Sequence, residues 1–139
     1  MAKSLGQQLA EITRKYEIML EATAKEAAQN LTNDVQTSRS RGGNLPVDLG
    51  FLANSFSASL NSVPSGDSEK PQGYVAKNWN DAPVALVINR IKIGDRLVLG
   101  YTANYAPYME ARYAFARSAA QNWRQHVNKA ARKVREATR

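Results

Sequence analysis

The sequence predicts an α+β fold in which a small antiparallel sheet with a central hairpin packs against two long helices, one at each end of the chain. Apolar residues recur every three or four positions from Leu5 to Val35, which is the period of one helix face. The segment Val84–Glu110 holds the only long run of β-branched and apolar residues, which favours paired strands. Pro107 is tolerated in a first helical turn, and from about Tyr108 the sequence is again compatible with helix to its end.

Length and composition are those of one domain. The chain has 139 residues, 43% of them hydrophobic and 22% charged, which is close to the average for a globular protein. We therefore expect a single domain over residues 1–139. There is no cysteine, which excludes disulfides, thiolate metal ligands and cysteine nucleophiles. No stretch approaches the apolar length that a bilayer crossing needs, so we expect neither an export segment nor a membrane span.

The positive charge is concentrated at the end of the chain. The net charge is +7. Residues 1–36 have a net charge of −1, from four basic and five acidic residues. Residues 37–112 have a net charge of +2, from eight basic and six acidic residues. Residues 113–139 have +6, from seven basic residues and one acidic residue. A localised basic surface of this kind predicts a polyanionic neighbour or a solvated helix face.

The N-terminal helix has signals for its start and for its exposed side. Ser4 is a good N-cap, and Glu11 precedes Lys15 by four residues, a favourable spacing for an ion pair. The apolar face is close to a heptad repeat, which leaves two interpretations open: a coiled coil, or a helix packed on its own domain or on a neighbouring subunit. Alanine, threonine and tyrosine dilute the repeat, which favours the second interpretation.

The middle of the chain predicts a helical corner, a strand and a loop. Asp48 is a suitable N-cap for a short helix that ends at Asn54, and the alternating residues that follow predict a first strand at Phe56–Val63. Residues 64–73 are polar and rich in turn formers, so we expect a mobile surface loop there. Tyr74–Trp79 is compatible with another short strand.

Two registers are possible for a hairpin within Val84–Glu110. A two-residue Gly94-Asp95 turn mixes polar and apolar residues on both faces, whereas a three-residue Gly94-Asp95-Arg96 loop separates them. We prefer the three-residue loop, although such loops usually have glycine last. The preferred register places Arg90 and Lys92 on the polar face. Its apolar face consists of Ile91, Ile93, Leu97, Leu99 and Tyr101.

The last helix has an apolar face and a basic face. Its apolar positions step by three or four, and we expect them to face inward: Phe115, Ala119, Trp123, Val127, Ala130 and Val134. His126, the only histidine, is expected on the surface of this helix. The acidic residues are scattered, and no known catalytic or metal-binding motif is present. We therefore expect no catalytic, cofactor-binding or metal-binding residues, and no enzyme activity.

Residues 45–56, LPVDLGFLANSF, and residues 105–110, YAPYME, together resemble segments of the head–tail connector and tail-completion proteins of tailed bacteriophages. Residues 45–56, LPVDLGFLANSF, are similar to the P-V-D-T-G-x-L-x-x-S pattern of that family. Residues 105–110, YAPYME, follow a predicted strand and are similar to its Y-A-x-Y-x-E at the start of the last helix. Leu49 stands where the family commonly has threonine, and Ala111 where it often has glycine. The matching positions are Pro46, Asp48, Gly50, Leu52, Ser55, Tyr105, Ala106, Tyr108 and Glu110.

The resemblance implies a virion structural protein of the neck or tail, assembled in the cytoplasm of the bacterial host. Several copies, six by analogy with the family, would form a ring that joins the head connector to the tail tube or tail terminator and lets DNA pass. Arg90 and Lys92 are then the candidate subunit interface. The candidate polyanion contacts, including transient contacts with DNA, are Arg117, Arg124, Arg132, Lys133 and Arg135.

Two other functions fit the basic helix in principle. A nucleic-acid-binding module would use the same cationic residues, with an affinity that falls steeply with salt; we expect Trp123 to be buried, which counts against base stacking. A helix resting on a membrane is disfavoured because the apolar face from Ala119 to Val134 is mostly alanine.

Overall fold

The computed structural model describes residues 2–138, which form six α-helices and a two-stranded antiparallel sheet. The predicted α+β class, with a small antiparallel sheet and a long N-terminal helix, is confirmed. The elements are α1 (Leu5–Val35), α2 (Phe51–Asn54), β1 (Phe56–Leu60), α3 (Ala82–Ile88), β2 (Leu97–Tyr101), α4 (Ala106–Tyr113), α5 (Phe115–Gln121) and α6 (Trp123–Ala137). A short 3₁₀ turn at Arg39–Arg41 follows α1.

Ser4 caps the start of helix α1 as predicted. The Ser4 hydroxyl accepts a hydrogen bond from the Gln7 backbone N–H at 3.1 Å, and the Gln7 side chain accepts one from the Ser4 N–H at 2.9 Å, which is a capping box. Helix α6 lies antiparallel along the second half of α1, because Lys133 contacts Glu26 and His126 contacts Asp34, both at 2.8 Å. Side chains of α1 are therefore buried only in that half: Ala27, Ala28, Thr32 and Val35.

The predicted hairpin within Val84–Glu110 is wrong. Strand β2 pairs with β1 from much earlier in the chain, with Phe56 opposite Tyr101, and residues 82–88 form helix α3 instead of a strand. Pro83 lies in the first turn of α3, where its missing N–H costs nothing. Apolar residues spaced by four can form one face of a helix, so this run of β-branched residues was compatible with both structures.

The connection from α3 to β2 is a turn held by Asp95, and neither of the two predicted hairpin registers forms. The Asp95 carboxylate accepts a hydrogen bond from the Lys92 backbone N–H at 2.8 Å and one from the Asn61 side-chain amide at 3.2 Å. The Asn61 side chain in turn accepts a hydrogen bond from the Arg96 N–H at 2.9 Å. Arg90 and Lys92 are exposed on this connection, so they do not lie on the polar face of a sheet as predicted.

The single helix predicted from Tyr108 is divided into three. Ala114, with φ +53°, separates α4 from α5, and Asn122 separates α5 from α6. Pro107 lies in the first turn of α4, as the sequence indicated. The predicted inward face is largely buried, but Trp123 is 45% exposed, so the prediction that it is buried is wrong. Trp123 begins α6 immediately after the break at Asn122, so the helical period of α5 does not extend to it.

Two smaller predictions are also corrected. Asp48 does not cap α2, because the residue before this helix is Gly50 with φ +88°. Tyr74–Trp79 forms no strand; its aromatic rings pack instead against the core from an extended segment. The loop 64–73 contacts the segment that follows β2, since the Asn104 N–H donates to the Ser68 carbonyl at 2.7 Å.

Aromatic side chains connect the sheet to the surrounding elements. Tyr101 contacts Phe56 and Phe115, with ring centroids 4.9 and 5.0 Å apart, and Phe56 also contacts Trp79 at 6.1 Å. Such pairs add to the free energy gained by burial alone. The core therefore joins β1, β2, α5 and the segment after the loop.

Candidate functional site

A surface groove of about 460 Å³ lies between residues 46–52 and helix α4. We call residues 46–52 the corner and this cavity the corner groove. Its two sides include residues of the two motif segments, 45–56 and 105–110, which lie far apart in the sequence. The groove is lined by Ser38, Arg39, Ser40, Pro46, Val47, Asp48, Leu49, Gly50, Phe51, Leu52, Lys70, Tyr105, Met109 and Tyr113.

The corner is held in place by backbone contacts to the segment that follows the loop. The Lys77 N–H donates to the Leu49 carbonyl at 3.2 Å. The Asn54 side-chain amide donates to the carbonyls of Gly50 at 2.8 Å and Lys77 at 3.2 Å. Gly50 has φ +88°, and a Cβ atom there would lie only 2.3 Å from the Lys77 carbonyl oxygen. Only glycine fits this position without a shift of the backbone.

The floor of the corner groove is aromatic. Phe51 packs edge-on against Tyr74, with ring centroids 5.3 Å apart, and its centroid is 6.2 Å from that of Tyr105. At one end the Arg39 guanidinium lies 4.6 Å from the centre of the Tyr113 ring, a favourable cation–π distance. These contacts fix the rings, and Tyr105 and Tyr113 remain partly exposed in the groove.

The charges at the rim are mixed. Arg39 and Lys70 supply two exposed cations, and Asp48 supplies an exposed carboxylate. Partial burial raises the pKa of the Tyr105 hydroxyl; a phenol is protonated at neutral pH and can donate a hydrogen bond. The floor of the groove can accommodate an apolar side chain of another protein. The Tyr105 hydroxyl and the positive and negative side chains of the rim can pair with polar groups around it.

The predicted family-motif residues have different positions in the structure. Pro46, Asp48, Gly50, Leu52 and Tyr105 line the corner groove. The remaining four do not line it. Ser55 is buried and donates its hydroxyl hydrogen to the Leu52 carbonyl at 2.7 Å. Ala106 is buried, Tyr108 is 77% exposed, and Glu110 lies near the middle of α4.

Glu110 caps a helix. Its carboxylate accepts hydrogen bonds from the backbone N–H groups of Ala116 at 2.8 Å and Arg117 at 2.9 Å. These are first-turn donors of α5, and Ala114, the residue preceding that helix, has no side chain able to bind them. A negative charge at a helix N-terminus is also favourable for the helix dipole. Glu110 therefore stabilises the sharp turn between α4 and α5.

A polar cluster between α1 and α6 was not predicted. The Asp34 carboxylate lies 2.8 Å from His126 Nε2 and accepts a hydrogen bond from the Asn122 side-chain amide at 3.1 Å. His126 is therefore a partly buried contact between helices and does not lie on an open surface as expected. Asp34 is distant in sequence, and no local motif links it to His126; only the packing of the two helices brings them together.

The basic residues of the C-terminal region form a mostly exposed surface. Lys133 is paired with Glu26. The exposed candidate contacts are Arg117, Arg124, Arg132, Lys133 and Arg135. The exposed Trp123 adjoins Arg124 at the start of α6.

No protein-family model matches the chain, and the comparisons with curated proteins and with solved structures also give no match. Within residues 2–138, no group of three or more histidine, aspartate or glutamate side chains is arranged to hold a metal ion. No helix of this part of the chain has both the length and the apolar character needed to span a membrane.

Proposed function

We propose that this chain is a structural protein of the head–tail junction of a tailed phage, where several copies form a ring between the head connector and the tail tube and let DNA pass. One observation supports this most: the two segments that resemble the phage family, distant in sequence, form the two sides of one open groove. In this proposal the chain is a binding and assembly part of the virion and catalyses no reaction.

The corner groove is the surface that receives a neighbouring subunit. In a ring built by head-to-tail contacts, one surface of each copy binds a different, complementary surface of the next copy. Each copy therefore needs two such surfaces. The groove is concave, with aromatic side chains in its floor and polar groups at its rim. Protein interfaces have the same arrangement, with an apolar centre and a polar rim. Arg90 and Lys92 lie on a separate exposed connection and remain candidates for the opposite surface.

The test is assembly of the purified full chain. Sedimentation velocity and negative-stain electron microscopy over a concentration series should show ring particles of uniform diameter, alone or with the adjoining virion proteins. Met109→Lys places a charge in the groove and should prevent assembly, whereas Ala111→Lys, exposed on the same helix outside the groove, should not. A chain that stays monomeric at every concentration and never joins a particle would disprove the proposal.

A nucleic-acid-binding function is the second candidate, and the exposure of Trp123 favours it. An exposed indole beside Arg124, at the start of a helix with several exposed cations, offers both a stacking surface and phosphate contacts. Binding of single-stranded DNA, followed by fluorescence anisotropy, should then weaken steeply as salt increases. Trp123→Ala should weaken it further at constant salt. Absence of binding at low salt would eliminate this function.

A further inference from the structure

The first half of α1 extends beyond the rest of the protein. We call residues 5–20 the stem. Every residue from Ala2 to Tyr16 is exposed, including large apolar side chains that a monomer leaves in water at a cost. The exposed fractions are 72% for Leu5, 55% for Leu9, 52% for Ile12 and 60% for Tyr16.

The exposed apolar side of the stem continues the side of α1 that α6 covers. Eighteen residues make about five turns of an α-helix. Leu9 is therefore in line with the buried Ala27, and Tyr16 is in line with Asp34, which contacts His126 of α6. Because α6 ends at Ala137 and its contact at Lys133 is with Glu26, the described part of the chain leaves residues 5–16 of the stem uncovered.

The apolar period changes where the stem ends. From Leu5 to Thr23 the apolar positions alternate steps of four and three, which is the heptad pattern of a coiled coil. From Thr23 to Val35 every step is four, and this is the part buried against the protein's own core and α6. The two halves of one helix thus follow different patterns, and the heptad pattern belongs to the half that residues 2–138 leave largely uncovered.

We propose that the stem packs against the stem of a second copy of this chain as a short coiled coil. In the heptad frame, the core positions d, a, d, a and d are Leu5, Leu9, Ile12, Tyr16 and Met19. Among the six flanking e and g positions from Gly6 to Ala22, Lys15 is the only charged residue. Charged flanks select a partner of opposite charge; neutral flanks let identical helices approach without repulsion.

The contact is small. Sixteen helical residues span about 24 Å, and a single helix pair of this length buries less than the roughly 1,600 Å² of a standard stable interface. Association through the stem alone is therefore weak and depends on concentration. This inference is independent of the head–tail proposal, because it uses neither the corner groove nor the resemblance.

The stem contains its own matched control. Ile12 and Ile18 are both 52% exposed, but Ile12 occupies a core position of the heptad and Ile18 does not. In sedimentation velocity over a range of concentrations, the unaltered chain and Ile18→Glu should shift toward larger species as concentration rises. Ile12→Glu should remain monomeric up to at least tenfold higher concentration, with an unchanged circular dichroism spectrum. Equal behaviour of the two variants would overturn the inference.

Single-cysteine variants test which surfaces meet, since the chain has no cysteine of its own. Under mild oxidation Leu9→Cys and Ile12→Cys should both form disulfide-linked dimers if the stems are parallel. If the stems are antiparallel, only the variant nearer the crossing point of the two helices should form them. Ile18→Cys should form at least tenfold less disulfide-linked dimer than the variants at the core positions. If neither Leu9→Cys nor Ile12→Cys forms more disulfide-linked dimer than Ile18→Cys, the inference is overturned. In a Met109→Lys background the core positions should still cross-link more than Ile18→Cys does, so failure of the groove and failure of the stem are distinguishable.

Discussion

Replacing Gly50 with alanine tests whether the corner depends on close backbone packing. The substitution has two costs. Alanine is strained at φ +88°, and the left-handed region costs a non-glycine residue about 1–2 kcal/mol. The new Cβ would also lie 2.3 Å from the Lys77 carbonyl oxygen, so the two backbone segments must move apart.

The second cost follows from the hydrogen bonds at this contact. Separation weakens the bond from the Lys77 N–H to the Leu49 carbonyl and the one from the Asn54 amide to the Lys77 carbonyl. Each contributes about 0.5–1.5 kcal/mol. Together with the backbone strain, we expect Gly50→Ala to lower the free energy of unfolding by about 2–5 kcal/mol, measured by urea denaturation with circular dichroism.

Gly73 provides the control for the strain alone. It has φ +77°, and a Cβ atom there would meet nothing within 4 Å. Gly73→Ala should therefore cost only about 1–2 kcal/mol. If Gly50→Ala and Gly73→Ala destabilise the protein equally, the close contact with Lys77 does not hold the corner, and the reasoning is refuted.

Three further predictions concern the cap, the turn and the exposed indole. Glu110→Ala should lower the free energy of unfolding by about 2 kcal/mol, since α5 loses the acceptor of two N–H groups; Glu136→Ala, an exposed residue of α6, should change it by less than about 0.5 kcal/mol. Hydrogen bonds from the Lys92 backbone and the Asn61 side chain lower the pKa of Asp95, so its contribution is present above its unfolded pKa and lost as the pH falls through its folded pKa; Asp95→Asn should flatten the dependence of stability on pH below about pH 4, and an unchanged slope would contradict the assignment. Trp123 should be quenched by acrylamide much more than Trp79, because it is the more exposed of the two; emission spectra of Trp123→Phe and Trp79→Phe would separate them, and equal quenching would place Trp123 in the interior.

Local signals were sufficient to predict the elements that depend on neighbouring residues. Ser4 and the apolar period after it give the start and the length of α1, because a cap and a helix face involve contacts only a few residues apart. Phe56 begins the first strand as predicted, although the strand ends at Leu60 and not at Val63. Pro107 marked a first helical turn for the same local reason.

The elements that depend on distant contacts were beyond such signals. Strand β2 pairs with β1, and no residue near Leu97 indicates which partner it takes. The run from Val84 to Ile88 fits a strand by residue type and a helix by spacing, and packing against the core decides in favour of the helix. The predicted burial of Trp123 was wrong for a similar reason, because the break at Asn122 shifts the helical period.

The candidate site shows the same division. The sequence singled out both segments by their motifs, and Glu110 as part of a helix start. That the segments form one groove depends on tertiary structure, in which Phe51 contacts Tyr105 across more than fifty positions. The pair of Asp34 and His126 was missed because neither residue has a local partner that would mark it.

The corner groove and the stem have different consequences if both proposals hold. A short coiled coil is weak alone, but once copies are held together through the groove, each stem is presented to its neighbour at a high effective concentration. The two contacts then strengthen each other without any new interaction. Loss of either one, by Met109→Lys or by Ile12→Glu, should reduce assembly by more than the affinity of the single contact predicts. The double variant should add little to either, and this non-additivity distinguishes cooperative assembly from two independent interfaces.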